Sequence, residues 1–470
     1  MFSTRIATQI YAKICFEATL SQKIIEKLSE YLADDDPSKI FILNGFAGTG
    51  KTTLISAFVS ALKDLNIKTI LLAPTGRAAK VLARYSHERA LTVHKRIYLE
   101  RTNAAYESKF SLGPNREQDA LFIVDEASML SNDTTGGALF GSGALLDDLV
   151  TYVRSGKRCR LMLVGDNAQL PPVGPRTVRR SIRSSCPATA RWSTGRWTRW
   201  SVRRPSRASS STPRWYAACS KRGIYAVPRF RTDFPDIRNL DGGEFLETLQ
   251  ECYDRYGRDE VIVITRSNKR ANRYNEGIRR NILGAEEEIE SGDMLMVVKN
   301  NYHFTERIEE CPVGFMANGD IVRLRRLRRF EEFYGFRFAN AVLSFPDYDD
   351  TEIDCKILLD TIASESPSLT AEESRRLFAE VEQDYLDIKS KIKRLKEIRE
   401  NPHYNAVQVK FAYAVTCHKA QGGQWRAVFI DRFLFGDEQM TRDRMRWLYT
   451  ALTRASDRLY LVNFPEEFIE

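Results

Sequence analysis

The sequence predicts an α/β fold built on parallel sheets, and three observations carry that prediction. An apolar run, Ile40 to Leu43, opens into Gly45-Phe-Ala-Gly-Thr-Gly50-Lys51-Thr52 and then a helical pattern, the strand, loop and helix setting of G-x-x-x-x-G-K-[ST]. Further apolar runs, Lys68 to Ala73, Ala120 to Val124 and Arg160 to Val164, alternate with helical patterns. Each run ends in polar residues, so the candidate site follows the carboxyl edge of the sheet.

The 470 residues exceed what one core supports, and 43% hydrophobic content provides for roughly two to four domains. Eight cysteines without a C-x-x-C pair argue against a zinc ribbon or a disulfide framework and point to a reducing, cytoplasmic setting. No apolar run approaches the roughly 18 residues of a membrane helix, and no signal-peptide core opens the chain, so no membrane association is expected.

The net charge of +9 would suggest a nucleic-acid partner, but its distribution removes the inference. Residues 175–223 hold twelve Arg, one Lys and no acidic residue. Without those thirteen cations the chain's 71 basic side chains become 58, against 62 acidic ones. The stretch also holds ten Ser and four of the six Trp, has no Leu, Phe, Met, Asn, Gln or His, and lacks helical or strand periodicity. Two readings stay open: a basic disordered insert with nucleic-acid affinity, or GC-rich coding sequence read out of frame from near Pro175 to near Ile224.

Taken in order, residues 1–38 read as helix ending in the Asp34-Asp-Asp-Pro37 turn. The glycines of the following loop let successive N–H groups point at phosphate oxygens, and the helix adds its positive end. Gly45, Gly48, Thr49, Gly50, Lys51, Thr52 and Thr53 are the candidate nucleotide-binding residues, with Lys51 reaching the β- and γ-phosphates and Thr52 ligating Mg²⁺. Asp125 and Glu126 follow an apolar strand about seventy residues on, placing one carboxylate for Mg²⁺ and one to orient water. Elsewhere in the chain such a pair would read as ordinary surface charge.

Order resumes at Ile224. A strand at Glu260 to Thr265 and a helix through Asn275 open a second α/β unit. From about Ala285 to Asp350 alternating segments and an Asn318-Gly turn predict a small barrel. Leu369 to Arg399 reads as one long helix with apolar residues at 377, 381, 385, 388, 392 and 395. Such a helix either lies on its own domain or recruits a partner protein. The α/β pattern then returns through Val409 to Val415, Ala427 to Asp431 and Leu459 to Asn463.

The ordered set GFAGTGKTT (45–53), APTGRAAK (73–80), LTVH (91–94), VDEAS (124–128), GDNAQLPPVG (165–174), VTCHKAQGGQW (415–425) and YTALTRASDRL (449–459) resembles superfamily 1B DNA helicases of the RecD-like and Dda-like kind. The resemblance implies two RecA-like domains with ATP and Mg²⁺ as cofactors. It assigns residues 1–174 to the first domain with a short hairpin at about 99–119. Residues 224–284 and 405–470 form the second, and residues 285–404, an SH3-like β-barrel plus the long helix, are inserted in it. Gln22 then resembles the adenine-reading glutamine, Gln169 the γ-phosphate contact and Arg454 the arginine finger. Without the motif, Arg454 would read as a surface arginine paired with Asp457.

Strand contacts fall by the same resemblance on Thr75, Arg77, Thr92, His94, Thr416 and His418, residue types that grip phosphates without reading bases. The resemblance implies a monomeric motor travelling 5′ to 3′ on single-stranded DNA or DNA junctions. Its setting would be DNA repair and recombination in the cytoplasm, at the nucleoid in a bacterium. Two departures stand out: Cys417 occupies the middle of the family's T-[VI]-H, and no arginine motif follows GDNAQLPPVG where the family carries one. An ATP- and DNA-binding protein without unwinding activity, and an RNA-directed helicase, are the alternatives.

Overall fold

The computed structural model describes residues 2–13, 21–47, 49–102, 108–130, 142–171, 191–197, 228–232, 234–306, 308–309, 311–432 and 439–470. The chain divides into two compact units, Met1–Ala226 with Met440–Thr453, and Val227–Gln439 with Arg454–Glu470.

In the first unit, α1 (Phe2–Lys13) and α2 (Ser21–Ala33) precede β1 (Lys39–Gly45), α3 (Lys51–Asp64), β2 (Thr69–Ala73), α4 (Gly76–Ser86), β3 (Ala90–Thr92) and α5 (Val93–Ile97). The antiparallel pair β4 (Tyr98–Thr102) and β5 (Ser108–Leu112) forms the hairpin. Then follow β6 (Leu121–Val124), α6 (Leu145–Ser155), β7 (Arg160–Gly165) and β8 (Arg191–Trp197). The strands form a parallel sheet in the order β3-β2-β6-β7-β1-β8.

Alternating side chains of the central strands fill two separate cores. Phe41, Leu43, Leu121, Ile123, Met162 and Val164 pack with α1, α2 and α3. Ile40, Ile42, Phe122, Val124, Leu161 and Leu163 pack with α5 and α6. Strands covered on both faces are apolar at every position, which is why they read as continuous hydrophobic runs. Each large buried side chain contributes about 1.5–3 kcal/mol on transfer from water.

The second unit contains β9 (Ile237–Leu240), α7 (Glu244–Tyr256), β10 (Val261–Thr265) and α8 (Asn268–Asn281), then β11 (Met294–Val297), β12 (Ile321–Phe333), β13 (Phe336–Phe345) and β14 (Thr351–Leu358). It continues with α9 (Asp360–Ala363), α10 (Ala371–Gln383), α11 (Lys391–Glu400), β15 (Val407–Phe411), β16 (Ala414–Thr416), β17 (Trp425–Asp431) and β18 (Ala455–Val462). Its parallel sheet runs β16-β10-β17-β18-β9, and β11 to β15 close into a barrel. Between β17 and β18 in the chain, α12 (Arg442–Leu452) belongs to the first unit. The predicted α/β class with parallel sheets and a small barrel is the observed one. The barrel, however, extends past Asp350 through β14 and β15, and the single strand expected over Val409 to Val415 is divided between the barrel (β15) and the parallel sheet (β16).

Two further expectations are corrected. The long helix of residues 369–399 is two helices: a Thr370–Glu373 capping box starts α10, and the Ser390 hydroxyl caps α11. Between them the chain turns, with the Tyr385 and Ile388 N–H groups donating three residues back to Glu382 and Tyr385. Leu377, Val381, Leu395 and Ile398 are buried, whereas Leu386 and Ile392 are 53% and 68% exposed, so the apolar seam is interrupted. The second correction concerns residues 175–223. Residues 191–197 form β8, paired in parallel with β1 over seven positions, although their sequence has no strand periodicity; the rest of that stretch lies outside the described residues.

Candidate nucleotide and nucleic-acid site

The site begins where β1 runs out. Gly50 adopts φ +90°, a left-handed conformation suited to glycine, and α3 starts at Lys51. Thr49 is buried, and its hydroxyl donates to the Phe46 carbonyl at 2.7 Å. The Lys51 ammonium curls over the loop, donating to the Gly45 carbonyl at 2.6 Å and to that of Phe46 at 2.9 Å. Thr52 and Thr53 lie on the first turn of α3, Gly48 lies outside the described residues, and Gln22 occupies the first turn of α2.

Strand order brings the other groups beside this loop. β7 lies between β6 and β1, so the segments after the three strands converge on one edge. Burial pushes the Asp125 carboxyl up to about 7, the Glu126 carboxylate adds to the rise, and the Glu126 N–H bond and the Lys51 ammonium oppose it. Glu126 takes φ +50°, and its N–H donates to Asp125 Oδ1 at 2.9 Å. A non-glycine residue in that region is a strained position of the kind that accumulates at functional sites. Among the described residues, Glu126 Oε2, Gln169 Oε1 and Asn44 Oδ1 are buried oxygens without a hydrogen-bond partner.

Helix α12 closes over this edge within the first unit. The Tyr449 hydroxyl accepts from the Ala47 N–H at 2.7 Å and donates to Asp166 Oδ2 at 2.7 Å. Asp166 Oδ1 accepts from the Ala168 N–H at 2.9 Å, which shapes the turn carrying Gln169. Thr450 Oγ1 accepts from the Leu170 N–H, and Arg446 donates to the Asn167 carbonyl. Asp166 and Tyr449 lie inside quoted motifs and Arg446 lies three residues before one, but the sequence assigns these three no role.

The proposed strand-contact residues of the first unit occupy the adjoining end of the same sheet. Thr75 follows β2 and Thr92 ends β3; they cap α4 and α5, accepting from Ala78 and Lys95 N–H at 3.2 Å each. Arg77 lies on the first turn of α4, and His94 lies in α5, where burial holds its imidazole below the ordinary value and so neutral at pH 7.

In the second unit, Thr416 ends β16, His418 sits in the turn that follows, and between them burial pushes the Cys417 thiol far up. Arg454 is buried and donates to the Gly423 carbonyl at 3.1 Å. Arg454 is therefore not a surface arginine, and Asp457 meets Arg426 at 3.7 Å and the Tyr256 hydroxyl at 3.0 Å.

Two family models match the chain: an AAA domain over residues 31–194 and a UvrD-like helicase C-terminal domain over residues 411–462. The ATP-dependent RecD2 DNA helicase of Deinococcus radiodurans is 33% identical over 29% of the chain and 16% of its own length. The ATP-dependent DNA helicase dda of Enterobacteria phage T4 is 33% identical over 28% of each. The chain thus spans less than a third of either relative. A Pif1 helicase from Bacteroides, solved with ADP-AlF3 and ssDNA, matches 97% of the chain and 95% of its own at 14% identity and a TM-score of 0.49.

Proposed function

We infer that this chain, a member of the superfamily 1B helicases, is an ATP-driven motor that moves 5′ to 3′ along single-stranded DNA and unwinds duplex ahead of it. The observation that carries the reading is the convergence of the P-loop, the Asp125–Glu126 pair and the Gln169 turn on three adjacent strand ends. Lys51 binds and neutralises the β- and γ-phosphates, the N–H groups from Gly45 to Thr53 cradle them, and Gln22 reads adenine. Glu126 orients the attacking water, Gln169 contacts the γ-phosphate, and Arg454 acts as the arginine finger.

The residues fit Mg²⁺. Asp125 and Thr52 would hold it, and it would supply charge neutralisation on the phosphates. The orphaned Glu126 and Gln169 oxygens support a hydrated cation arriving with the nucleotide. Among the described residues no cluster of three His, Cys, Asp or Glu side chains could hold a metal unaided, in keeping with a cation shared with phosphate. Thr75, Arg77, Thr92 and His94 in the first unit, and Thr416 and His418 in the second, grip successive phosphates of the strand. Among the described residues no helix is long and apolar enough to cross a membrane, and the proposed setting is the cytoplasm.

Steady-state ATP hydrolysis with and without single-stranded DNA, beside Lys51→Ala, tests the motor. Strong stimulation lost in Lys51→Ala supports it, and equal stimulation by RNA redirects it to RNA. Unwinding of 5′-tailed but not 3′-tailed duplexes tests the polarity. A second reading, ATP and DNA binding without unwinding, is favoured by the missing arginine motif after residue 174; nucleotide and DNA binding with no stimulated turnover would establish it.

A further inference from the structure

The Tyr449 hydroxyl makes two hydrogen bonds of unlike kind. It accepts from a P-loop N–H, that of Ala47, and it donates to the buried Asp166 carboxylate. P-loop N–H groups are the donors such loops present to phosphate oxygens, and one N–H does not serve two acceptors at full strength. We propose that Tyr449 is a positioning residue that occupies the Ala47 N–H in competition with nucleotide phosphate, so that nucleotide arrival is transmitted to α12 and to the Asp166–Gln169 turn. This inference rests on the nucleotide-site reading above.

The surroundings make the phenol a transmitter and not merely a satisfied hydroxyl. Its ring is fully buried, packed against Ala168 and Met445, with Phe46 edge-on at 6.4 Å and 72°. A ring so enclosed does not swing aside alone; when a phosphate takes the Ala47 N–H, the helix moves with it. Two further bonds carry that movement to the turn: Arg446 to the Asn167 carbonyl at 3.2 Å, and the Leu170 N–H to Thr450 Oγ1 at 2.9 Å. Gln169 lies between those two anchor points, with its side-chain oxygen unpartnered among the described residues.

The test is Tyr449→Phe, which keeps the ring and removes only the hydroxyl. Binding of methylanthraniloyl-ADP with Mg²⁺ is read by fluorescence, together with turnover in saturating single-stranded DNA and the melting temperature. Freeing the Ala47 N–H is expected to tighten ADP binding by roughly 2- to 10-fold, the worth of one hydrogen bond. The maximal DNA-stimulated rate is expected to fall about tenfold while KM for ATP does not rise. ADP binding that is unchanged or weaker with the melting temperature preserved overturns the proposal.

Asp166→Asn, which keeps the shape but removes the anionic acceptor, provides a second route should the first variant fold poorly. Its effect on ADP affinity is expected to be in the same direction and to shrink in the Tyr449→Phe background; additive effects overturn the coupling. Binding is read without turnover. A chain that shows the Tyr449 effect but hydrolyses no ATP therefore sinks the motor reading and leaves this one standing.

Discussion

The Lys51 ammonium donates to the Gly45 carbonyl across 2.6 Å, tying the first residue of α3 to the last of β1 over the loop that separates them. Under the role proposed above, the ammonium held by the Gly45 and Phe46 carbonyls has to leave them to reach a nucleotide. Lys51→Ala is expected to cut DNA-stimulated ATP turnover by at least about a hundredfold. It is expected to cost only about 1 kcal/mol of stability without nucleotide, the net worth of a typical hydrogen bond. Turnover and melting curves measured together check this, and unchanged nucleotide affinity would count against the role.

Glu126 is strained at φ +50° with an orphaned Oε2, and the role proposed for it above is to act on water. Glu126→Gln is expected to bind nucleotide within a few-fold of the parent while turnover drops by roughly 10²–10⁴. Equilibrium binding set against steady-state rate separates the two effects. A parallel loss of affinity and rate would make Glu126 a binding residue instead.

In the second unit, Arg279 grips Asp293 with two bonds of 2.9 and 3.0 Å, and both side chains are more than nine-tenths buried. Tyr413 donates to the same carboxylate at 2.9 Å, and Arg279 lies 4.4 Å over the Phe411 ring. Asp293→Ala leaves the guanidinium buried without its charge partner and is expected to cost about 3–5 kcal/mol. Urea unfolding measures the loss; a cost under about 1 kcal/mol would mean that water reaches the site.

Burial pushes the ammonium groups of Lys410 and Lys419 down to about 8, and for Lys419 the neighbouring Lys410 charge adds to the effect. Unfolding returns both toward their ordinary 10.5. Between about pH 8 and 10.5 the unfolded chain therefore binds more protons than the folded one, and these two groups make stability rise with pH across that window. Denaturant titrations from pH 7.5 to 10 check the slope. Lys419→Met is expected to flatten it and to raise stability at pH 7.5.

Much of the nucleotide edge was legible because its signals are local. The Ile40 to Leu43 run, the glycines and Lys51 sit within fourteen residues, and a strand buried on both faces must be apolar throughout. The break between α10 and α11 was hidden because the apolar spacing continues across residues 384–390 while the turn bonds and the Ser390 cap interrupt the helix. β8 was hidden for the opposite reason: residues 191–197 carry no pattern of their own, and their pairing comes from the exposed edge of β1.

By itself the sequence determined the P-loop, the carboxylate pair, the parallel α/β class and the order of the helicase motifs, since each depends on residues close together in the chain. Only the tertiary structure decided which strand ends are neighbours, and so that Asp125, Asp166 and Lys51 share one edge. It alone brought Tyr449 to Ala47, some four hundred residues away, where a phenol and a backbone N–H meet at 2.7 Å. Sequence patterns record which side chains a segment must bury; the partner of a single hydrogen bond is set by packing, which no local pattern encodes.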